Sequence, residues 1–371
     1  MKLSKSIVGK KETAAVKKII EDYGYLGMGK EVLSFEEELA TYLGRPSNEV
    51  VCVNSGTAAL HLAIEAVTNP GDEVLVPTIT YVATYSAITA AGCKPVSCDV
   101  TIDNLNICLL DAQRKVTERT RVIIPVHFGG TPCDLQSIGK FAKINGLRII
   151  EDAAHAFGSK YMSMKIGSIG DITCFSFDGI KNITSGEGGA IISSDREFLT
   201  KVKNNRLLGV QNDSEARYKG QRTWDINVQS QGYRYHMSDV FAAIGRVQLS
   251  RFEKEFSPKR KLLAKHYVKC LESINWIIPV QDCFSDVTPH IFPVRILNGQ
   301  REKVIERLAT KDIPYGLHYK PNHLIPYFNS DGFSCPNAEK VYSEILTFPL
   351  HPELSLEEID TIINIIKDLT I

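Results

Sequence analysis

Between residues 49 and 152 short apolar runs alternate with longer stretches of helical spacing, and each run gives way to small, polar or acidic residues. The runs at 49–53, 72–76, 94–98, 120–125 and 147–150 are too short for helices and read as strands. Helical patterns at 55–67, 80–91 and 134–145 separate them. A strand–helix–strand rhythm of this kind predicts an α/β fold: a mostly parallel sheet with helices on both faces. In such sheets ligands bind beyond the carboxyl ends of the strands. Residues 55–57, 77–81 and 152–155 should therefore share one rim.

The flanking regions differ. Residues 10–22 and 30–43 carry helical spacing around YGYLGMG, a glycine-punctuated loop with Tyr23 and Tyr25. After Ile192 the spacing predicts helices at 195–208, 237–249, 251–271, 301–311 and 355–369. A polar loop is expected at 211–222 and a strand at 291–296. We expect a large domain over 1–245 and a smaller C-terminal α+β domain over 246–371. Its 371 residues are enough for two such cores.

Charge and cysteine usage exclude several classes. Lys plus Arg and Asp plus Glu both number 43, so no basic surplus points to nucleic acid. The first twenty residues lack the apolar stretch of a signal peptide, and no run reaches the roughly 18–20 apolar residues of a membrane span. A cytoplasmic protein is the expectation. Nine scattered cysteines without a CxxC pair predict neither a disulfide framework nor a metal centre. Cys93 and Cys98 read as small apolar fillers.

Chemistry concentrates in three stretches. CFSFDGIKNITSGEGG (174–189) sets one lysine, Lys181, between an apolar strand and a turn rich in glycine. NSGTAAL (54–60) opens a helix on Ser-Gly-Thr, where free N–H groups and the helix dipole favour an anion. EDAAHAFG (151–158) places Asp152 at a strand end and His155 three residues on. Singly, each has a plainer explanation: a helix cap, a structural acid, a core histidine. Tyr81 alone would be a core aromatic. Together they match what pyridoxal 5′-phosphate (PLP) needs. Those needs are a lysine to form a Schiff base, an acid opposite the ring nitrogen, a phosphate cradle and a flat ring for stacking.

The blocks VNSGTAALHLA, VPTITYVATYSAI, VIIPVHFGG, IIEDAAHAFGSKY, IGSIGDITCFSFDGIKNITSGEGGAI and GYRYHMSDVFAAIG resemble the DegT/DnrJ-type sugar aminotransferases. These are PLP enzymes of the aspartate aminotransferase (type I) fold. The similarity runs nearly end to end. By resemblance Lys181 is the cofactor-binding lysine and proton shuttle, and Asp152 pairs with the pyridinium nitrogen. His155 lies near the 3-hydroxyl, and Tyr81 stacks on the ring. Gly56, Thr57 and Ser176 hold the phosphate. The family usually has GYNYRM where this chain has GYRYHM, so Arg234 replaces an asparagine that reaches the neighbouring subunit's phosphate. At 204–210, NNRLLGV departs from the family's Arg-Asn-His-Gly motif.

The resemblance implies a homodimer that moves an amino group from an amino acid, L-glutamate, to a nucleotide-linked keto sugar. The position is C4 of a 4-keto-6-deoxy hexose, with C3 the competitor. The product would serve a surface glycan such as O-antigen or lipopolysaccharide. Tyr25, Tyr319 and His323 are the expected nucleotide-sugar contacts. A PLP-dependent sugar dehydratase and a non-catalytic PLP-binding regulator are the alternatives. The dehydratases of the family carry histidine in place of the lysine.

Overall fold

The computed structural model describes residues 1–221, 226–329, 332–367 and 369. Among the described residues twelve strands form three sheets. In chain order they are β1 (Val50–Val53), β2 (Glu73–Pro77), β3 (Lys94–Cys98), β4 (Thr120–Ile123), β5 (Arg148–Asp152), β6 (Lys160–Tyr161), β7 (Met164–Lys165), β8 (Ile172–Ser176), β9 (Gly189–Ser193), β10 (Ile277–Pro279), β11 (Phe292–Ile296) and β12 (Ile345–Phe348).

The large sheet has the order β1-β9-β8-β5-β4-β2-β3. Its β3, β2, β4, β5 and β8 pair in parallel, and β9 pairs antiparallel with both β8 and β1. Only β9 is reversed, so the carboxyl ends of the other strands gather on one rim. Both faces are covered. Val51 and Val53 of β1 enter one core while Val50 and Cys52 enter another. On β8, Ile172 and Cys174 divide from Phe175 in the same way. Alternate side chains point to opposite faces, and both are dry, which explains the uninterrupted apolar runs. Cys93 and Cys98 are buried.

The first core is built around the helix Gly56–Val67, whose residues Ala58 to Ile64 are all buried. The second holds the helix Lys30–Leu43 against Asp239–Arg251. A small antiparallel sheet, β10-β11-β12, carries the third core with the helices Ser257–Leu271 and Leu356–Lys367. The expected division at 245/246 falls inside Asp239–Arg251. Phe252 and Phe256 belong to the large-sheet core and Leu263 opens the small one, so we propose a boundary between them. Among the described residues no helix is long and apolar enough to cross a membrane.

The polar loop expected at 211–222 is in part a helix, Asp213–Tyr218; Arg222 lies outside the described residues. The cause is a buried cation. Arg206 has no exposed surface and donates to Glu36 Oε1 at 2.7 Å and the Cys52 carbonyl at 2.6 Å. The helix brings Ser214 Oγ to 3.2 Å and the Tyr218 hydroxyl into contact. A buried guanidinium is tolerated only with such partners. In NNRLLGV, Arg206 and Gly209 keep the ends of the Arg-Asn-His-Gly motif and the departure is Leu207-Leu208, so it is the shared arginine that has a structural role here.

Candidate active site

The rim of the large sheet opens into a cavity of about 310 Å³. β1 delivers Ser55, Gly56 and Thr57 to it, β2 delivers Thr80 and Tyr81, β5 delivers Asp152 and His155, and β8 delivers Ser176, Asp178 and Lys181. From the far end of the chain His318 and Tyr319 close one side.

Ser55 caps the helix Gly56–Val67, its hydroxyl accepting from the Ala58 N–H at 3.0 Å. The N–H groups of Gly56 and Thr57, in the first turn, have no partner within the helix. A side chain on Gly56 would put its Cβ 2.7 Å from Ser176 Cβ. Only glycine lets the helix end meet the strand end, which sets the Ser176 hydroxyl beside those N–H groups. Gly189, at the start of β9, makes a second such approach; a Cβ there would lie 2.5 Å from the Ser55 carbonyl oxygen.

Asp152 is buried, and both its oxygens are held. Oδ2 accepts from the Thr84 hydroxyl at 2.8 Å and Oδ1 from the Ala154 N–H at 3.1 Å. Thr84 is in turn bonded to Thr80 at 2.9 Å. The carboxylate is thereby fixed in orientation. Burial lowers the Lys181 amine below the usual lysine range, while the charges of Asp152 and Asp178 act against that shift.

His155 is buried, and its Nδ1 accepts from the Gly129 N–H at 3.3 Å. Its proton therefore sits on Nε2, which donates to the Tyr319 hydroxyl at 3.2 Å. Burial, aided by the positive charge of Lys181, keeps this imidazole neutral. His318 is pushed down to about 4 by the same two causes, and its Nδ1 bonds Thr347 Oγ1 at 2.9 Å. Tyr81 is not a core aromatic. It is 57% exposed, with its ring 5.7 Å from that of Tyr319.

The cavity thus gathers Gly56, Thr57, Tyr81, Asp152, His155, Ser176, Lys181 and Tyr319. Three expected residues lie elsewhere. His323 is buried, with Nδ1 bonded to Thr78 Oγ1 at 2.7 Å and Nε2 to Glu339 at 3.1 Å. Both ring nitrogens are taken, and the residue clasps the segment carrying His318 and Tyr319 to the end of β2. Tyr25 is exposed and folds over its own loop, its hydroxyl 2.9 Å from where a Gly27 Cβ would be. Arg234 is exposed outside the cavity, its carbonyl accepting from Asn54 Nδ2 at 3.2 Å. The sequence reading missed Thr84, Asp178, Glu187 and His318. Thr84 lies three residues after Tyr81, at helical spacing, and His318 directly precedes Tyr319, so both were within reach of the same motifs.

The donor set fits PLP. An amine and a fixed carboxylate occur with the free Gly56 and Thr57 N–H groups of a helix start, a serine hydroxyl and an exposed aromatic ring. Lys181 would hold the carbonyl carbon and Asp152 the ring nitrogen. Gly56, Thr57 and Ser176 would hold the phosphate. The volume is near the lower end of small-molecule sites, roughly 300–1,000 Å³.

The DegT/DnrJ/EryC1/StrS aminotransferase family profile matches residues 6–367. The chain is 35% identical to the spore coat polysaccharide biosynthesis protein SpsC of Bacillus subtilis, over 98% of this chain and 95% of that one. It is 32% identical to the dTDP-4-dehydro-2,3,6-trideoxy-D-glucose 4-aminotransferase of Saccharopolyspora spinosa, over 97% and 94%. The PLP form of Spr1654 from Streptococcus pneumoniae superposes with a TM-score of 0.89 at 30% identity, covering 100% of both chains.

Proposed function

The chain belongs to the DegT/DnrJ/EryC1/StrS aminotransferase family, whose members depend on PLP, and from that premise we propose the reaction it performs. An amino group passes from L-glutamate to a nucleotide-linked keto sugar, at C4 of a 4-keto-6-deoxy hexose. One observation carries the reading: the Lys181 amine, from the segment after β8, and the Asp152 carboxylate, from the end of β5, meet the N-terminus of the helix Gly56–Val67 in one cavity. The 4-amino position is favoured by the name of the Saccharopolyspora relative, and a surface-glycan role by that of SpsC. We place the reaction in the cytoplasm and the working unit at a homodimer.

PLP, when bound, supplies a carbonyl that captures amines and a ring that accepts electrons. The residues do the rest. Lys181 Nζ, pushed toward its basic form by burial, would take the proton from the donor's α-carbon and hold it for return within the same cavity. Reversed, the same transfers serve the sugar half-reaction. Asp152, fixed by Thr84 and Ala154, would hold a positive charge on the cofactor's ring nitrogen. The Gly56 and Thr57 N–H groups and the Ser176 hydroxyl bind the anionic end. Tyr81 lies on the open side, where an aromatic ring can cover a flat ligand. His155 and Tyr319 form a neutral hydrogen-bonded wall.

The nucleotide would extend outward past Tyr319. His323, with both nitrogens engaged, acts by holding Tyr319 in place.

The test is an absorption spectrum of the purified protein before and after glutamate, with 2-oxoglutarate measured alongside. A band that shifts to shorter wavelength as 2-oxoglutarate appears, followed by amination of a 4-keto sugar nucleotide, is the expected result. Bound cofactor without 2-oxoglutarate would point to dehydration or to a non-catalytic protein. Amination of 3-keto sugars alone would move the reaction to C3.

A further inference from the structure

The helices Ser257–Leu271 and Leu356–Lys367 pack against one another on the small domain. At their seam three metal-ligating groups converge. His266 and Cys270 are four residues apart and share one helix face. Asp360 faces them from the other helix. His266 Nε2 lies 2.7 Å from Asp360 Oδ1, Cys270 Sγ lies 3.6 Å from His266 Nε2, and Cys270 Sγ lies 3.5 Å from Asp360 Oδ1. No other group of three such side chains within metal-binding reach occurs among the described residues.

We propose that His266, Cys270 and Asp360 bind a divalent transition ion, with Zn²⁺ the best match, pinning the C-terminal helix to the helix Ser257–Leu271. Tetrahedral zinc bonds sulfur at about 2.3 Å and nitrogen or oxygen at about 2.0–2.2 Å. Those lengths set ligand atoms roughly 3.3–3.6 Å apart. The two distances from sulfur already meet that requirement. The nitrogen–oxygen pair must open by about 0.7 Å to reach it. Asp360 can move that far, because its side chain is 50% exposed. Thiolate plus imidazole is a donor pair that zinc prefers over magnesium or calcium. The charges balance: a thiolate and a carboxylate neutralise a divalent ion. On binding, the Cys270 thiol gives its proton to solvent. The imidazole keeps one proton, on Nδ1, leaving Nε2 to bond the metal. The three side chains leave a fourth position for water, which the 50% exposure of the Asp360 side chain can admit.

Cobalt(II) is the probe. Stripped of metal by chelation, the full-length protein with its cofactor receives one equivalent of Co²⁺. A site with one cysteine gives a sulfur-to-cobalt band and tetrahedral bands in the red, beyond cofactor absorption. The cofactor cavity cannot mimic this, since no cysteine lines it. Zn²⁺ should bleach the bands and raise Tm. Cys270→Ser should abolish the sulfur band. His266→Asn and Asp360→Asn should weaken Co²⁺ binding by more than the roughly 10- to 100-fold that losing a supporting residue costs. Cys283→Ser, which removes an exposed thiol elsewhere, should change neither. The proposal is overturned by absence of the sulfur band at one equivalent, by its survival in Cys270→Ser, or by its loss in Cys283→Ser. His266 and Asp360 are partly exposed, so their variants should fold. Affinity unchanged in both would equally overturn it.

Discussion

Lys181 and Asp152 occupy one cavity but face different demands. The lysine must be a base, and burial moves it that way. The aspartate must stay oriented, and its two hydrogen bonds do that. Lys181→Ala should therefore eliminate the borohydride-reducible link to PLP and all turnover, while the apo-protein stays folded. A reducible link in that variant would remove the lysine from its role. Asp152→Asn keeps the shape and can still accept from Thr84. Cofactor should remain bound while kcat falls on the order of 10²- to 10⁴-fold, as expected for loss of a charged catalytic partner. Near-normal turnover would refute the assignment.

At the scale of elements, the site depends on two contacts between ends. The helix Gly56–Val67 starts against the last residue of β8, with no room for a methyl group between them. Gly56→Ala should push the helix start away from Ser176. Overpacking of this kind costs about 1–3 kcal/mol. PLP affinity should fall as well, because the N–H groups move relative to the Ser176 hydroxyl. Removing the obstructing side chain in Gly56→Ala/Ser176→Gly should recover stability but not affinity, which denaturant titration and cofactor titration would separate. The second contact is the clasp from His323 to Thr78 and Glu339. It brings a segment more than 160 residues beyond Asp152 onto the rim, and with it His318 and Tyr319.

At the scale of the whole molecule, acid should destabilise the protein. His155, His290 and His318 are all held below their ordinary value, burial first and Lys181 second. In the unfolded chain they take protons near pH 6.5. Below that pH the unfolded state binds more protons, so stability present above about 6.5 is lost as pH falls toward the folded values, about 4 for His318. The slope is about 1.4 kcal/mol per pH unit for each histidine. Tm should fall between pH 6.5 and 4, and His318→Asn should flatten the fall by about one proton; a Tm rising on acidification would contradict this. Assembly gives a second prediction. If Arg234 serves the neighbour's phosphate, inactive Lys181→Ala and weakened Arg234→Ala proteins should regain activity when their subunits are exchanged. One site of each hybrid would then be intact. No recovery would place the phosphate site within one chain. Much of this was legible in the sequence because it is local. Buried strands write apolar runs, helices write their spacing, the rim rule puts Gly56, Tyr81 and Asp152 together without coordinates, and Lys181 joins them through its own motif between a strand and a glycine-rich turn. The sequence alone determined the α/β class, the family resemblance and that group of residues. Tertiary structure decided the rest, because it depends on which distant groups must satisfy one another once water is excluded. Arg206 needed acceptors, so a polar stretch became the helix Asp213–Tyr218. His323 was drawn to Thr78 and Glu339 and away from the cavity. Asp360 came to lie beside His266 and Cys270, across ninety residues of chain in which no motif joins them.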